Sequence, residues 1–357
     1  VVRGQKNLIA KKFFAYCASA ERGIHLLTLD QDGAGRAIEA HPARSSFLAI
    51  DPQIRCLCSI DEKSGTLRSF SIADDGSLNL ITQVETQGGT PAHLAIDPHA
   101  RFVVVASYRG GVELFPLGPD GRVGALADIH QPAGTGPHER QECAHPHGVV
   151  MVGDRAYVSD LGIDRILVLK IEPTPLRFVA LDEETLTLAP ADGPRHLAFH
   201  PDGAHAVSIN ELNDTVTTFA REPKSGRWEQ RGTFRTLPPD FEGTNWTAEI
   251  AYHPRADVCY ASNRGHDSLA VFSIDRETGR LNGGRFIAAL GKGPRHFCVD
   301  PSGKLLLIAN LDSNSITIYR LDETTGWPRE LLPPLEVEKP MCVVGIPDSL
   351  VGQLWSM

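Results

Sequence analysis

Two stretches of the chain repeat one another without a gap. Gly193-Pro-Arg-His196 runs through His200-Pro-Asp-Gly203 and Asn210-Glu211 to Phe219, and Gly293-Pro-Arg-His296 runs through Asp300-Pro-Ser-Gly303 and Asn310-Leu311 to Tyr319. Each copy reads as a short apolar strand, a Pro-x-Gly turn, a second apolar strand ending in a polar cluster, and a β-branched third strand such as Thr215-Val-Thr-Thr-Phe219. Hairpin pairing then sets His196 beside Asn210-Glu211 and His296 beside Asn310, at the sheet edge opposite the tight turn. Self-similarity at a period of roughly fifty residues is the signature of a repeat architecture.

The turn marker, Asp-Pro or His-Pro, recurs at Asp51-Pro52, Asp97-Pro98, His200-Pro201, His253-Pro254, Asp300-Pro301 and, degenerate, Ile346-Pro347, with spacings of 46, 103, 53, 47 and 46 residues. The long step is two units, and the missing one lies at Cys143-Ala-His-Pro-His147 through Gly153-Asp154, where the turn is shorter. That gives seven units. Phe13–Ala18 and Gly23–Leu29 resemble second and third strands with no first strand before them, and Pro340–Pro347 resembles a first strand with little after it. Joining the two ends completes one unit and closes a ring, which leaves no exposed sheet edge. The expected fold is therefore all-β, a seven-bladed β-propeller closed by pairing of the N- and C-terminal strands in one blade. It is read as a single domain over residues 1–357, with 1–12 as an N-terminal extension.

Composition narrows the function classes. A net charge of -9 gives no global basic field, and no Lys/Arg run makes one locally, so a nucleic-acid partner is not expected. Residues 1–12 are basic at Arg3, Lys6, Lys11 and Lys12 but lack the apolar core of a signal peptide. No later segment reaches a membrane-spanning length, so the expected location is cytoplasmic, with no membrane partner. The seven cysteines form no C-x-x-C pair and fall mostly in apolar strand patterns, which reads as buried thiols in a reducing compartment. No H-E-x-x-H or similar spacing is present. Neither a metal nor another cofactor is expected.

Superposing the units brings His93, His147, His196 and His296 to one position at the entry of the innermost strand, with Glu249 there in the sixth unit. The matching position at the end of the second strand is occupied by Tyr108, Asp160, Glu211, Arg264 and Leu311. Side chains that differ from unit to unit at a repeated position point to a site that uses the blades asymmetrically. Polar groups at strand ends also tie blades together, and each histidine taken singly suits that role. The charged set suits an anionic substrate that needs acid/base help. Arg295 reads as structural, because its unit ends in neutral Leu311, and His145 lies two residues before the aligned position. The long insertions Gln131–Arg140 and Leu237–Asn245 both precede a first strand, hence lie on the histidine rim, where binding loops gather.

At Cys143-Ala-His-Pro-His147-Gly-Val, Gly193-Pro-Arg195-His196, Asn210-Glu211-Leu, Ser262-Asn-Arg264-Gly-His-Asp-Ser268 and Gly293-Pro-Arg-His-Phe297, the chain resembles the seven-bladed propeller lactonase family. That family includes the bacterial propeller-type 6-phosphogluconolactonases and the fungal 3-carboxy-cis,cis-muconate lactonizing enzymes. The motifs occur in order and at blade spacing, from about Phe13 to Pro347. The resemblance implies an active-site set of His147, Arg195, Glu211 and Arg264; the rim positions of the superposed units add His93, Tyr108, Asp160, His196, Glu249, His296 and Asn310 as expected substrate-binding neighbours. It implies hydrolysis of a small anionic sugar-acid lactone, with Glu211 or His147 as general base and the two arginines as anion and oxyanion clamps. Cycloisomerisation of a muconate dicarboxylate is the alternative. A non-enzymatic propeller scaffold is the second alternative, although the four tryptophans do not recur at blade spacing.

Overall fold

The computed structural model describes residues 13–30, 33–51, 53–347 and 350; the extension over 1–12 and Pro52 of the first turn marker lie outside the described residues. Strand character follows the burial demanded of each position. Middle strands such as His205–Asn210 and Leu305–Asn310 are buried at every residue, because a neighbouring sheet covers each face, so they read as unbroken small and branched apolar runs. Outer strands such as Trp228–Arg235 face solvent and carry exposed polar residues. The stretch from Arg36 to Ser46, weakly patterned in sequence, is mostly the outermost strand Gly35–His41, with no residue of that strand fully buried.

Seven sheets form the ring, each antiparallel and running from an inner to an outer strand. The inner strands are Phe47–Asp51, Pro91–Ile96, Pro146–Val152, Pro194–Phe199, Trp246–Tyr252, Pro294–Val299 and Pro340–Gly345. Each packs against the next, and Pro340–Gly345 closes back on Phe47–Asp51. We number the blades 1 to 7 in chain order, blade 1 being the composite one. There Pro340–Gly345 pairs with Phe13–Ser19, followed by Gly23–Leu29 and Gly35–His41, with Ala15 opposite Gly345. The core is correspondingly divided into layers between sheets. One joins Val207, Ile209 and Val216 of blade 5 to Ile250, Ala270 and Phe272 of blade 6, and another joins Tyr260 and Leu269 of blade 6 to Phe297 and Ile308 of blade 7. Each buried Phe or Ile in such a layer contributes about 1.5–3 kcal/mol through the area it removes from water. No helix among the described residues is long and apolar enough to cross a membrane.

The alternation of Asp and His in the turn marker has a direct cause. Asp51 Oδ1 accepts the backbone N–H groups of Gln53 and Ile54, and His253 Nδ1 accepts those of Arg255 and Ala256. Either side chain supplies the acceptor that the turn needs. At the opposite rim the inner strands share a bulge. Pro91, Pro146, Pro194 and Pro294 each face the last residue of the next strand, and pairing resumes two residues on, at His93, Gly148, His196 and His296. The skipped residues, among them His147, Arg195 and Arg295, are thereby turned out of the ladder.

This register corrects the superposition in two places. His147 does not share the position of His196; it occupies the bulge position of Arg195, and Gly148 stands where blades 3, 5 and 7 carry His and blade 6 carries Glu. Asp160 pairs opposite Pro146, as Asn210 does opposite Pro194, so Leu161 and not Asp160 corresponds to Glu211.

Candidate active site

Glu211 is the centre of the rim constellation. It follows strand His205–Asn210, and its backbone N–H is fixed by the carbonyl of Gly193 at the entry of the inner strand. Three guanidiniums converge on its carboxylate: Arg140 Nη1 donates to Oε1 at 2.7 Å, Arg264 Nη2 lies 2.9 Å from Oε2, and Arg195 Nε lies 2.9 Å from Oε2. The Arg195 N–H is not aligned for a hydrogen bond, so that last contact is coulombic. Burial would raise the Glu211 carboxyl, but Arg264, Arg195 and Arg140 together override it and hold it at about 2. Arg195 is itself only 3% exposed, anchored by Nη1 to the carbonyl of Ala248, and Arg264 is anchored to the carbonyls of Trp246 and Thr247.

Arg140 is absent from the residues expected at the site. It comes from the insertion Gln131–Arg140, and Nη2 also donates to the hydroxyl of Tyr108 at 3.3 Å. The placement of that insertion on the histidine rim was the available signal. Arg295, read as structural from its unit, sits in register with Arg195, lies 3.6 Å from Glu62 of blade 2, and its charge reaches His147, Arg195 and Arg264. It therefore belongs to the same electrostatic environment. Arg140, Arg195, Arg264 and Arg295 stand against Glu211, Glu62 and Glu249, whose charge also reaches Arg195: four basic groups against three acidic ones, in a protein whose net charge is -9.

Below this layer lies an imidazole cluster. The ring of His196 is 4.8 Å from that of His93 and 5.3 Å from that of His147, and Phe47 packs on His93, His196 and His296. Arg195 Nη1 lies 3.2 Å from His196 Nε2 and 3.4 Å from its Nδ1, nearly equidistant from the two ring nitrogens, and His196 Nδ1 donates to Glu249 Oε2 at 2.9 Å. His296 Nε2 is 3.1 Å from the same oxygen. Burial raises the Glu249 carboxyl, whereas burial and the neighbouring charges lower His196 and His93 well below the usual imidazole range. His147 is lowered in the same way, first by burial and then by Arg195, and its Nδ1 has no hydrogen-bond partner among the described residues.

Two expected residues are not brought to this centre. Asp160 is buried within blade 4, where Oδ1 accepts the N–H groups of His145 and Gly162. Asn310 is buried within blade 7, donating to Thr317 and to the carbonyl of Ala289. Cys143 also departs from the expectation of buried thiols, being exposed. A groove of about 960 Å³ between blades 4 and 5, lined by Tyr157, Phe199 and Trp228, shares no residue with this constellation.

The arrangement can hold a small anion against several fixed guanidiniums while presenting it to a neutral imidazole. Comparison with known proteins agrees with that chemistry. The family described as Lactonase, 7-bladed beta-propeller, matches residues 13–345. The 6-phosphogluconolactonase of Bacillus subtilis is 28% identical over 337 residues, which cover 92% of this chain and 95% of that protein. The 6-phosphogluconolactonase of Formosa agariphila is 31% identical over 304 residues, 81% of this chain and 85% of that protein. Among solved structures, a periplasmic gluconolactonase of Pseudomonas aeruginosa superposes with a TM-score of 0.86 at 26% identity, covering 94% of this chain and 99% of that one. Sharing sequence with these proteins along the whole ring, the chain belongs to the seven-bladed β-propeller lactonases.

Proposed function

We propose that the protein hydrolyses a sugar-acid lactone of the 6-phosphogluconolactone type, with His147 as general base. The observation that carries this is the surplus of guanidinium charge around Glu211 beside the neutral imidazole of His147. A phosphate or carboxylate matches the paired N–H donors of arginine. Glu211, held at about 2, is a poor proton acceptor at neutral pH; its role is to fix the arginines. His147 then takes a proton from water as the oxygen attacks the lactone carbonyl. The tetrahedral oxyanion faces Arg195 and Arg264, which are oriented in advance by backbone carbonyls. When the ring C–O bond breaks, the departing oxygen receives the proton back from His147. The negative charge of substrate and oxyanion offsets the field of the arginines and so makes His147 more basic when it is needed.

The test is acid release from a freshly generated panel of phosphorylated and unphosphorylated aldonic lactones, with carboxymuconate as comparison. The proposal requires a phosphorylated lactone to be turned over fastest and His147→Asn to lose on the order of 10²–10⁴ in kcat. Turnover of none of the lactones, with loss of the conjugated-diene absorbance of carboxymuconate, would replace hydrolysis by cycloisomerisation. The same reading places the reaction in the cytoplasm, although the Pseudomonas relative is periplasmic; cell fractionation decides this.

A further inference from the structure

Beside the mouth, on the loop that leads into blade 4, three donors of different chemistry meet at one point. His145 Nε2 lies 3.8 Å from Cys143 Sγ and 3.3 Å from Glu142 Oε2. We propose that Glu142, Cys143 and His145 form a zinc site of three protein ligands with an open fourth position, separate from the lactone chemistry.

The distances fit the ion. Tetrahedral zinc with its usual bond lengths separates a thiolate sulfur from an imidazole nitrogen by about 3.6 Å, and that nitrogen from a carboxylate oxygen by about 3.4 Å. The Nε2–Sγ and Nε2–Oε2 separations differ from these by a few tenths of an ångström or less, and the third, from sulfur to carboxylate oxygen, is no more than 4.8 Å and joins two exposed side chains that can close on an ion. All three donor atoms lie within 4.8 Å of one another.

The imidazole is prepared for ligation. His145 Nδ1 lies 2.8 Å from the carbonyl oxygen of Tyr108, which can only accept, so the ring proton is on Nδ1 and the Nε2 lone pair faces Cys143 and Glu142. A histidine ligand held by a carbonyl through its other nitrogen is the arrangement that orients metal-bound imidazoles. The Tyr108 ring also stacks on His145, with centroids 4.2 Å apart. The backbone is fixed as well: Asp160 accepts the His145 N–H at 2.7 Å, Leu161 N–H bonds the His145 carbonyl, and a Cβ on Gly162 would stand 1.9 Å from the carbonyl oxygen of Cys143.

Cys143 and Glu142 are exposed and His145 is buried, so an ion can enter from solvent and keep a water as its fourth ligand. A thiolate in the set favours zinc over magnesium or calcium. Glu-Cys-x-His has neither C-x-x-C nor H-E-x-x-H spacing, which is why a search for those patterns does not find it. A second cluster, His200, Asp202 and His205, contains no thiol, and its His200 Nδ1 already accepts the backbone N–H of Asp202.

Cobalt(II) titration of the purified protein distinguishes the two clusters, because only a cysteine ligand gives a thiolate-to-cobalt charge-transfer band. The expected result is one equivalent of cobalt producing that band, displaced by zinc and absent in Cys143→Ser. Glu142→Gln should keep the band and bind zinc at least roughly tenfold more weakly, the minimum loss that even an indirect partner of a metal ligand causes. No band in the unaltered protein, or a band that persists in Cys143→Ser, overturns the site.

Discussion

Arg140 reaches Glu211 across 71 residues of sequence, its Nη1 2.7 Å from Oε1, so a loop between blades supplies one of the three cations that neutralise a carboxylate on blade 5. The carboxylate is buried, and so is Arg195; neither charge would be tolerated there without the other.

Removing the carboxylate should therefore cost stability as well as activity. Glu211→Gln leaves the guanidiniums facing one another and is expected to lower unfolding free energy at neutral pH by about 3–5 kcal/mol. The sign with pH follows from the depressed carboxyl, about 2 in the folded protein against 4.5 as its ordinary value. Its stabilisation is complete above pH 4.5 and is lost as pH falls through 2. Denaturant unfolding of both proteins from neutral pH to pH 2 should show a constant gap that closes at the acid end. A gap independent of pH contradicts the assignment.

Arg140→Ala should lower kcat/KM by an amount equivalent to about 1.5–3 kcal/mol, the range for a hydrogen bond to a charged group, with little change in thermal stability because the side chain is one-third exposed. Arg140→Lys should recover part of the loss. Steady-state kinetics across the three proteins checks this, and an unaltered kcat/KM in the alanine variant removes Arg140 from the site.

The pH profile tests His147. Its imidazole is held well below 6.5, so it stays neutral as pH falls past the ordinary histidine range. The expectation is a kcat/KM that stays flat through pH 6.5 and declines only at lower pH. An inflection at the unperturbed histidine value would show that the base is another group.

Asp160 separates tie from ligand. Burial pushes its carboxyl up to about 6, so its ionised form costs stability, and that cost grows as pH rises from about 4 to about 6. Asp160→Asn retains an acceptor for the His145 and Gly162 N–H groups without the charge. It should be as stable as the parent or more so above pH 6, with KM unchanged, whereas Asp160→Ala should lose about 1–3 kcal/mol through two unsatisfied buried donors. A raised KM in Asp160→Asn would restore the residue to substrate binding.

Gly148→Ala should disturb the site from below. A Cβ there would stand 2.5 Å from the carbonyl oxygen of Arg195 and 3.0 Å from the His196 ring, forcing blades 4 and 5 apart. A loss of about 1–3 kcal/mol from overpacking, with a drop in kcat, is expected from unfolding and kinetic measurements. Unchanged stability would mean that the blades yield without strain.

Much of the ring was legible because repetition reports it. The Asp-Pro and His-Pro turns need a side-chain acceptor, the middle strands need apolar residues on both faces, and Phe13–Ser19 lacks a first strand that Pro340–Gly345 supplies. The same repetition misled where one residue carried the alignment. Matching His147 to His196 follows the side-chain type, but the register is set by Pro146 and Pro194, whose strands bulge at the next residue. Aligning on proline would have put His147 with Arg195 and Leu161 with Glu211.

The sequence by itself determined the number of blades, their order, the closure by the two ends and the rim on which polar residues collect, since all of these follow from local strand and turn periodicity. Only the tertiary structure decided that Arg140, Arg195 and Arg264 share one carboxylate, that Asp160 and Asn310 are committed inside their blades, and that Cys143 meets His145 and Glu142. The reason is that ion pairing and ligand geometry depend on separations of a few ångströms between side chains, whether these come from different blades or from the folded path of one loop. Local sequence pattern fixes a residue's place along a strand but not those distances.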